Sequence, residues 1–185
     1  MCKWFYFADV GWQARPRCWL RKQALAGLGR CKCTNHYALV LLCARYGWLM
    51  QAWANAGATV SFAIQSERFL PALRALTSHW PSPPPCIVTS DMCNDSGLDS
   101  AFQTISNVNT QLHAVLHSVA HAPRAALGSS LSSVTREDFS ATLNVSVYSM
   151  IALASRCVPL LTEGGSVTAL TFAGSQRVRA LLCLF

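Results

Sequence analysis

Charge is scarce in this chain. Only 12% of its 185 residues are Asp, Glu, Lys or Arg, against 52% apolar, a balance that excludes a disordered chain and suits one globular domain. The body has no basic excess. Residues 1–45 hold eight Lys and Arg against Asp9 alone, whereas residues 46–185 hold seven Arg and seven acids, so the net charge of +7 lies on the front segment. A neutral body does not suit a nucleic-acid-binding surface. No secretory signal is evident. The nine cysteines are odd in number, irregularly spaced and crowded forward, with Cys2, Cys18, Cys31, Cys33 and Cys43 before the rest. A disulfide framework is therefore not expected, and a reducing cytoplasm is. No internal repeat is present. No metal site is expected either, because Cys31-x-Cys33 with His36 lacks a second ligand pair at zinc spacing.

Residues 1–37 lack helical or strand periodicity, with Trp4, Trp12 and Trp19 among Arg and Cys. They read as a basic leader: a nucleic-acid arm, an Arg-rich transit peptide or an unrelated segment that packs poorly. Transit peptides are usually Ser-rich and amphipathic, which favours the last. Residues 38–64 are apolar over a length that could cross a bilayer. Arg45 inside that run costs roughly 2.5–3.5 kcal/mol on insertion scales, so a soluble reading without a membrane span is preferred. It divides the run into a strand at Ala38–Leu42, a helix from about Tyr46 to Asn55, a turn at Ala56–Gly57 and a strand at Thr59–Ile64.

Beyond it the spacing predicts a short helix at Phe69–Ser78 and an extended loop forced by Pro81, Pro83, Pro84 and Pro85. A strand at Cys86–Met92 follows, then a helix from about Leu98 to Thr110 capped by Asp95 or Ser96. Gln111–Ala120 is a strand. Thr135–Asp138 opens a helix to about Leu161, with acids suited to its positive end. Glu163–Gly165 turns the chain into a last strand at Ser166–Phe172. Apolar strands alternating with helices define an α/β fold, a doubly wound parallel sheet with right-handed crossovers.

Several segments carry a family resemblance in their order and spacing: YGW at 46–48, AGATVSFAIQSERFLPALRAL at 56–76, SDM at 90–92, HSVAHAP at 117–123, TREDF at 135–139, SVYS at 146–149 and PLLTEGGSVTALTFAGSQRV at 159–178. Over roughly residues 38–178 the chain resembles the NADH-dependent enoyl-acyl-carrier-protein reductases, a branch of the short-chain dehydrogenases. The resemblance implies a Rossmann-like dinucleotide-binding domain over 38–185, incomplete at its C-terminal side. It further implies an oxidoreductase of fatty-acid biosynthesis, NADH (NAD+) as cofactor, an acyl-carrier-protein thioester as substrate and a homo-oligomer.

By that resemblance Gln65 lies near the adenosine ribose, although a polar residue at a strand end would read alike. The Asp91 carboxylate accepts the adenine amino group, assisted by the Met92 backbone; a loop-capping Asp is the alternative. Ser118, Val119 and Ala120 approach the ribose and nicotinamide at the switch point of the sheet, or simply pack closely. Two departures stand out. A dinucleotide site needs a glycine-rich turn after the first strand. Here Leu41–Arg45 contains no glycine before Gly47, and Gly27 and Gly29 precede the strand. The family's reduction also uses a tyrosine to stabilise the enolate and a lysine to hold the ribose. Phe172 stands at one family tyrosine position and Arg179–Leu182 near the catalytic one, while the lysine, the substrate loop, two further strands and the oligomer helix would lie past Phe185. The expectation is an inactive fragment whose fifth strand is an exposed edge. A non-catalytic nucleotide-binding or interaction module is the alternative, and a membrane anchor through 38–64 a further one.

His113, His117 and His121 are spaced by four, but a strand spreads such residues along its length, so they read as strand-edge and loop histidines, not a metal face. Tyr148 lacks a lysine four residues on, since position 152 is Ala, and reads as core or interface.

Overall fold

The computed structural model describes residues 3–7, 36–42, 47–127 and 130–170. Six parallel strands form one sheet: β1 (Lys3–Phe7), β2 (His36–Leu42), β3 (Ala58–Ile64), β4 (Ile87–Thr89), β5 (Leu112–Ser118) and β6 (Leu161–Leu170). Their spatial order is β1-β6-β5-β2-β3-β4. The chain thus steps outward from β2 to β4, returns to the far side of β2, and steps outward again. The reversal lies between β2 and β5, paired from Ala38↔Ala114 to Leu42↔Ser118. The doubly wound α/β reading holds.

Alternation along the strands sends apolar side chains to both faces. On one face Leu39, Val115 and Val167 pack with α3 (Asp95–Val108) through Leu98, Phe102 and Ile105, and with α5 (Ser149–Cys157) through Leu153 and Cys157. On the other, Val40, Val60, Phe62 and Leu116 pack with α1 (Gly47–Asn55) through Met50 and Trp53, with α2 (Leu70–Thr77) through Leu73, and with Trp80, whose ring centroid is 5.7 Å from that of Phe62. The described residues of 38–64 therefore form a strand, a helix and a strand of the sheet rather than a membrane span. Gly57, at φ +86°, ends α1 where a side chain would be strained.

Several details differ from the expectations. Asn94, not Asp95 or Ser96, caps α3 by accepting the Gly97 N–H at 3.2 Å. The strand expected at Cys86–Met92 is reduced to three residues. Glu163–Gly165 is an irregularity inside β6, where the pairing jumps from Leu112↔Leu161 to Ala114↔Ser166. A Cβ on Gly165 would stand 2.9 Å from the Thr162 carbonyl oxygen, so glycine permits this close approach. β6 is not an exposed edge, because Lys3–Phe7 pairs with Ser166–Leu170. The front segment thus supplies a strand that its composition did not reveal. Helix α4 (Arg136–Leu143), capped by Thr135 on the Asp138 N–H as expected, runs through a five-residue π turn (Asn144–Tyr148) into α5.

Candidate functional site

A cleft of about 290 Å³ opens at the carboxyl ends of the strands. In open α/β sheets ligands bind there, beside the point where strand order reverses. Its walls come from the residues that end β3, β4 and β5. Gln65 follows β3, Asp91 and Met92 follow β4, and Val119 and Ala120 follow β5. Ala63, Phe69, Cys93, His121 and Val145 complete the lining. Ser118 is buried just before Val119 and is not part of the lining surface.

The polar groups around the cleft are arranged unequally. Asp91 Oδ1 accepts the Cys93 N–H at 3.0 Å, which fixes the loop after β4. Gln65 is exposed, and Arg68 lies 4.7 Å over the Phe69 ring. The hydroxyls of Ser66, Ser90 and Ser118 are buried and find no hydrogen-bond partner among the described residues. Each adjoins a residue that lines the cleft. Buried polar atoms without partners are costly and uncommon; these three lie behind the cleft wall, and Trp53 Nε1 and Trp80 Nε1 share the condition elsewhere in the fold. The buried Cys86 thiol and the Cys93 thiol at the cleft wall are both held above the ordinary thiol range, chiefly by desolvation, which leaves them poor nucleophiles.

His113 and His117 lie in the buried centre of the sheet rather than at a strand edge. His117 Nε2 is 2.8 Å from the buried Ser149 Oγ, and burial lowers its pKa to about 4. No cluster of potential metal ligands exists among the described residues. Tyr148 is 49% exposed in the π turn and is not a core residue. Gly47 opens α1 as a helix residue. Residues 43–46, Phe172, Arg179–Leu182, Cys31 and Cys33 lie outside the described residues.

Of the residues expected from the family resemblance, Gln65, Asp91, Met92, Val119 and Ala120 line this cleft and Ser118 lies behind it. Sequence reasoning did not find Phe69, Cys93 or Val145. Phe69 and Cys93 were within reach as near neighbours of Gln65 and Met92. Val145 arrives from a distant helix with no local signal.

A parallel, doubly wound sheet with a cleft at its switch point defines a class of α/β proteins that bind small ligands at the strand ends. Comparison narrows the class. A family model described as enoyl-(acyl carrier protein) reductase matches residues 48–181. The enoyl-acyl-carrier-protein reductase (NADH) of Bacillus cereus is 32% identical over 124 residues, covering 67% of this chain and 48% of that protein. The Synechocystis enzyme is 30% identical over 131 residues, covering 70% and 49%. A crystal structure of the B. cereus reductase with NADP+ and indole naphthyridinone superimposes with a TM-score of 0.70 at 28% identity, over 78% of this chain and 58% of that one. The chain belongs to the enoyl-acyl-carrier-protein reductase family, and it spans about half the length of the curated relatives it matches.

Proposed function

We propose that residues 38–185, with Lys3–Phe7 joined to their sheet, are the dinucleotide-binding part of an NADH-dependent enoyl-acyl-carrier-protein reductase of fatty-acid biosynthesis. The observation that carries this reading is the cleft itself: Gln65, Asp91, Met92, Val119 and Ala120 meet at the switch point, beside three buried hydroxyls that lack partners. The Asp91 carboxylate accepts the adenine amino group, with the Met92 backbone beside it. Gln65 faces the adenosine ribose. Ser118, Val119 and Ala120 bring backbone toward the second ribose and the nicotinamide. NADH, when bound, supplies the hydride that reduces the enoyl thioester of acyl-carrier protein.

Titration of the purified chain with NADH, followed by nicotinamide fluorescence, tests the binding. Saturable binding, weakened about tenfold by Asp91→Asn, is the expected result. That variant keeps an acceptor for the Cys93 N–H but loses the charge that strengthens the adenine bond. No saturation at millimolar NADH would remove the reading. Turnover is a separate question. Phe172 has no hydroxyl at a family tyrosine position, so NADH oxidation with an enoyl thioester is expected to stay at background.

The long helix supports a homo-oligomer. Phe139, Leu143, Val147, Ile151 and Val158 recur along one exposed side, from 39% to 59% exposed. The helical segment 136–160 is long and apolar enough to cross a bilayer, but its Leu153 and Cys157 are buried against the sheet. A second copy offering the same stripe would bury this apolar face symmetrically. Ile151→Glu is expected to lower the mass seen by sedimentation without unfolding the chain.

A further inference from the structure

The segment proposed to face the nicotinamide, Ser118–Ala120, is held at both ends by one turn of the long helix. At its start the buried His117 side chain meets the buried Ser149 hydroxyl. Ser149 Oγ donates its hydrogen to the Val145 carbonyl, so the imidazole must be the donor, with Nε2–H directed at Ser149 Oγ. At the other end Ser146 Oγ accepts the His121 N–H at 3.1 Å and donates to the His121 carbonyl at 3.1 Å. Ser146 lies within the π turn and Ser149 directly follows it. Such turns are rare and recur at functional sites. Here the turn also delivers Val145 to the cleft wall.

We propose that Ser146 and Ser149 are positioning residues, which use the π turn to fix the backbone of residues 118–120 against the nicotinamide half of a bound dinucleotide. The assignment rests on the dinucleotide reading. His117 and His121 bracket the segment, one held by its side chain and the other by its backbone. The three residues between them are thereby suspended from the helix on the side facing the cleft. The adenine end, at Asp91, is held by its own loop bond and lies outside this arrangement.

Ser146, half-buried, is the residue to vary, since Ser149→Ala would strip two bonds from a fully buried site and endanger the fold. Two measurements on Ser146→Ala decide the matter. Hydrogen exchange at the His121 amide should accelerate about tenfold, with β3 and β4 unchanged. Affinity for NADH should fall about tenfold, affinity for AMP (the adenine half alone) should hold, and Ser146→Thr should restore both exchange and NADH binding. Unchanged exchange overturns the clamp whatever the ligand does. Equal loss of NADH and AMP, or no loss of either, overturns the positioning role. A wild-type chain that binds neither ligand removes the dinucleotide reading and the positioning role together, while the exchange result still judges the clamp.

Discussion

The two ends of β5 are finished differently. Where the strand begins, the nearby Asn109 is engaged in structure. Asn109, 1% exposed, ties back to α3 through its N–H to the Ile105 carbonyl at 2.7 Å, and its side-chain amide donates to the buried Ser61 hydroxyl at 2.8 Å. Asn109 Oδ1 has no hydrogen-bond partner among the described residues. Where the strand ends, Ser118 is equally buried yet its hydroxyl has no partner, and Ser66 and Ser90 repeat the pattern beside β3 and β4. One end spends its polar groups on the fold. The other combines such bonds, at His117, Ser146 and Asp91, with three hydroxyls that have no partner among the described residues. Trp53 Nε1 and Trp80 Nε1 share that condition away from the cleft, so it is the cleft at the strand ends, and not the hydroxyls alone, that sets this end apart.

The largest expected effect concerns how firmly the exit of β5 is tuned. His117 is neutral in the fold, with a pKa of about 4 against 6.5 unfolded. Above pH 6.5 the ring is neutral in both states and contributes no pH dependence. Between 6.5 and about 4 only the unfolded chain takes the proton, so stability falls as pH drops, by about 3 kcal/mol across the window. Thermal midpoints measured from pH 7 to pH 4 should show this loss, and His117→Asn should flatten it. An equally steep profile in the variant would assign the loss to other groups.

The strand's entry gives the next largest effect. Asn109→Ala leaves the Ser61 hydroxyl buried without its partner, and the expected cost is about 2 kcal/mol in urea unfolding. NADH affinity should not change. A variant that binds NADH less well would mean the two ends of β5 are coupled, and the contrast between them would need redrawing.

The sequence exposes this contrast only in part. Leu39, Val115 and their neighbours announce buried parallel strands, and Gly57 and Thr135 mark a helix end and a helix start through local chemistry that the structure repeats. The strand-end residues Gln65, Asp91 and Val119 are expected from the family resemblance, and the parallel sheet brings the strand ends that carry them to one side. Other features have no local signature. Lys3–Phe7 becomes a strand by pairing with β6, a partner at the far end of the sequence. Gly164–Gly165 reads as a turn, and only the pairing of β6 with β5 shows it to be an irregularity inside the strand. Ser146 and Ser149 look like ordinary helix-surface serines until the π turn sets them against His121 and His117.

The smallest expected effect on stability is the most telling. Ser118→Ala removes a buried hydroxyl that has no bond to lose, so unfolding free energy should move by no more than about 0.5 kcal/mol, and an increase is as acceptable as a decrease. If the hydroxyl is held for a ligand, the same variant should weaken NADH binding about tenfold. Asn109→Ala predicts the reverse pairing of effects, a large stability loss with affinity intact. The two substitutions therefore test one claim from opposite ends of a single strand. Should Ser118→Ala cost as much stability as Asn109→Ala, its hydroxyl serves the fold after all, and the exit of β5 loses the feature that distinguishes it from the entry.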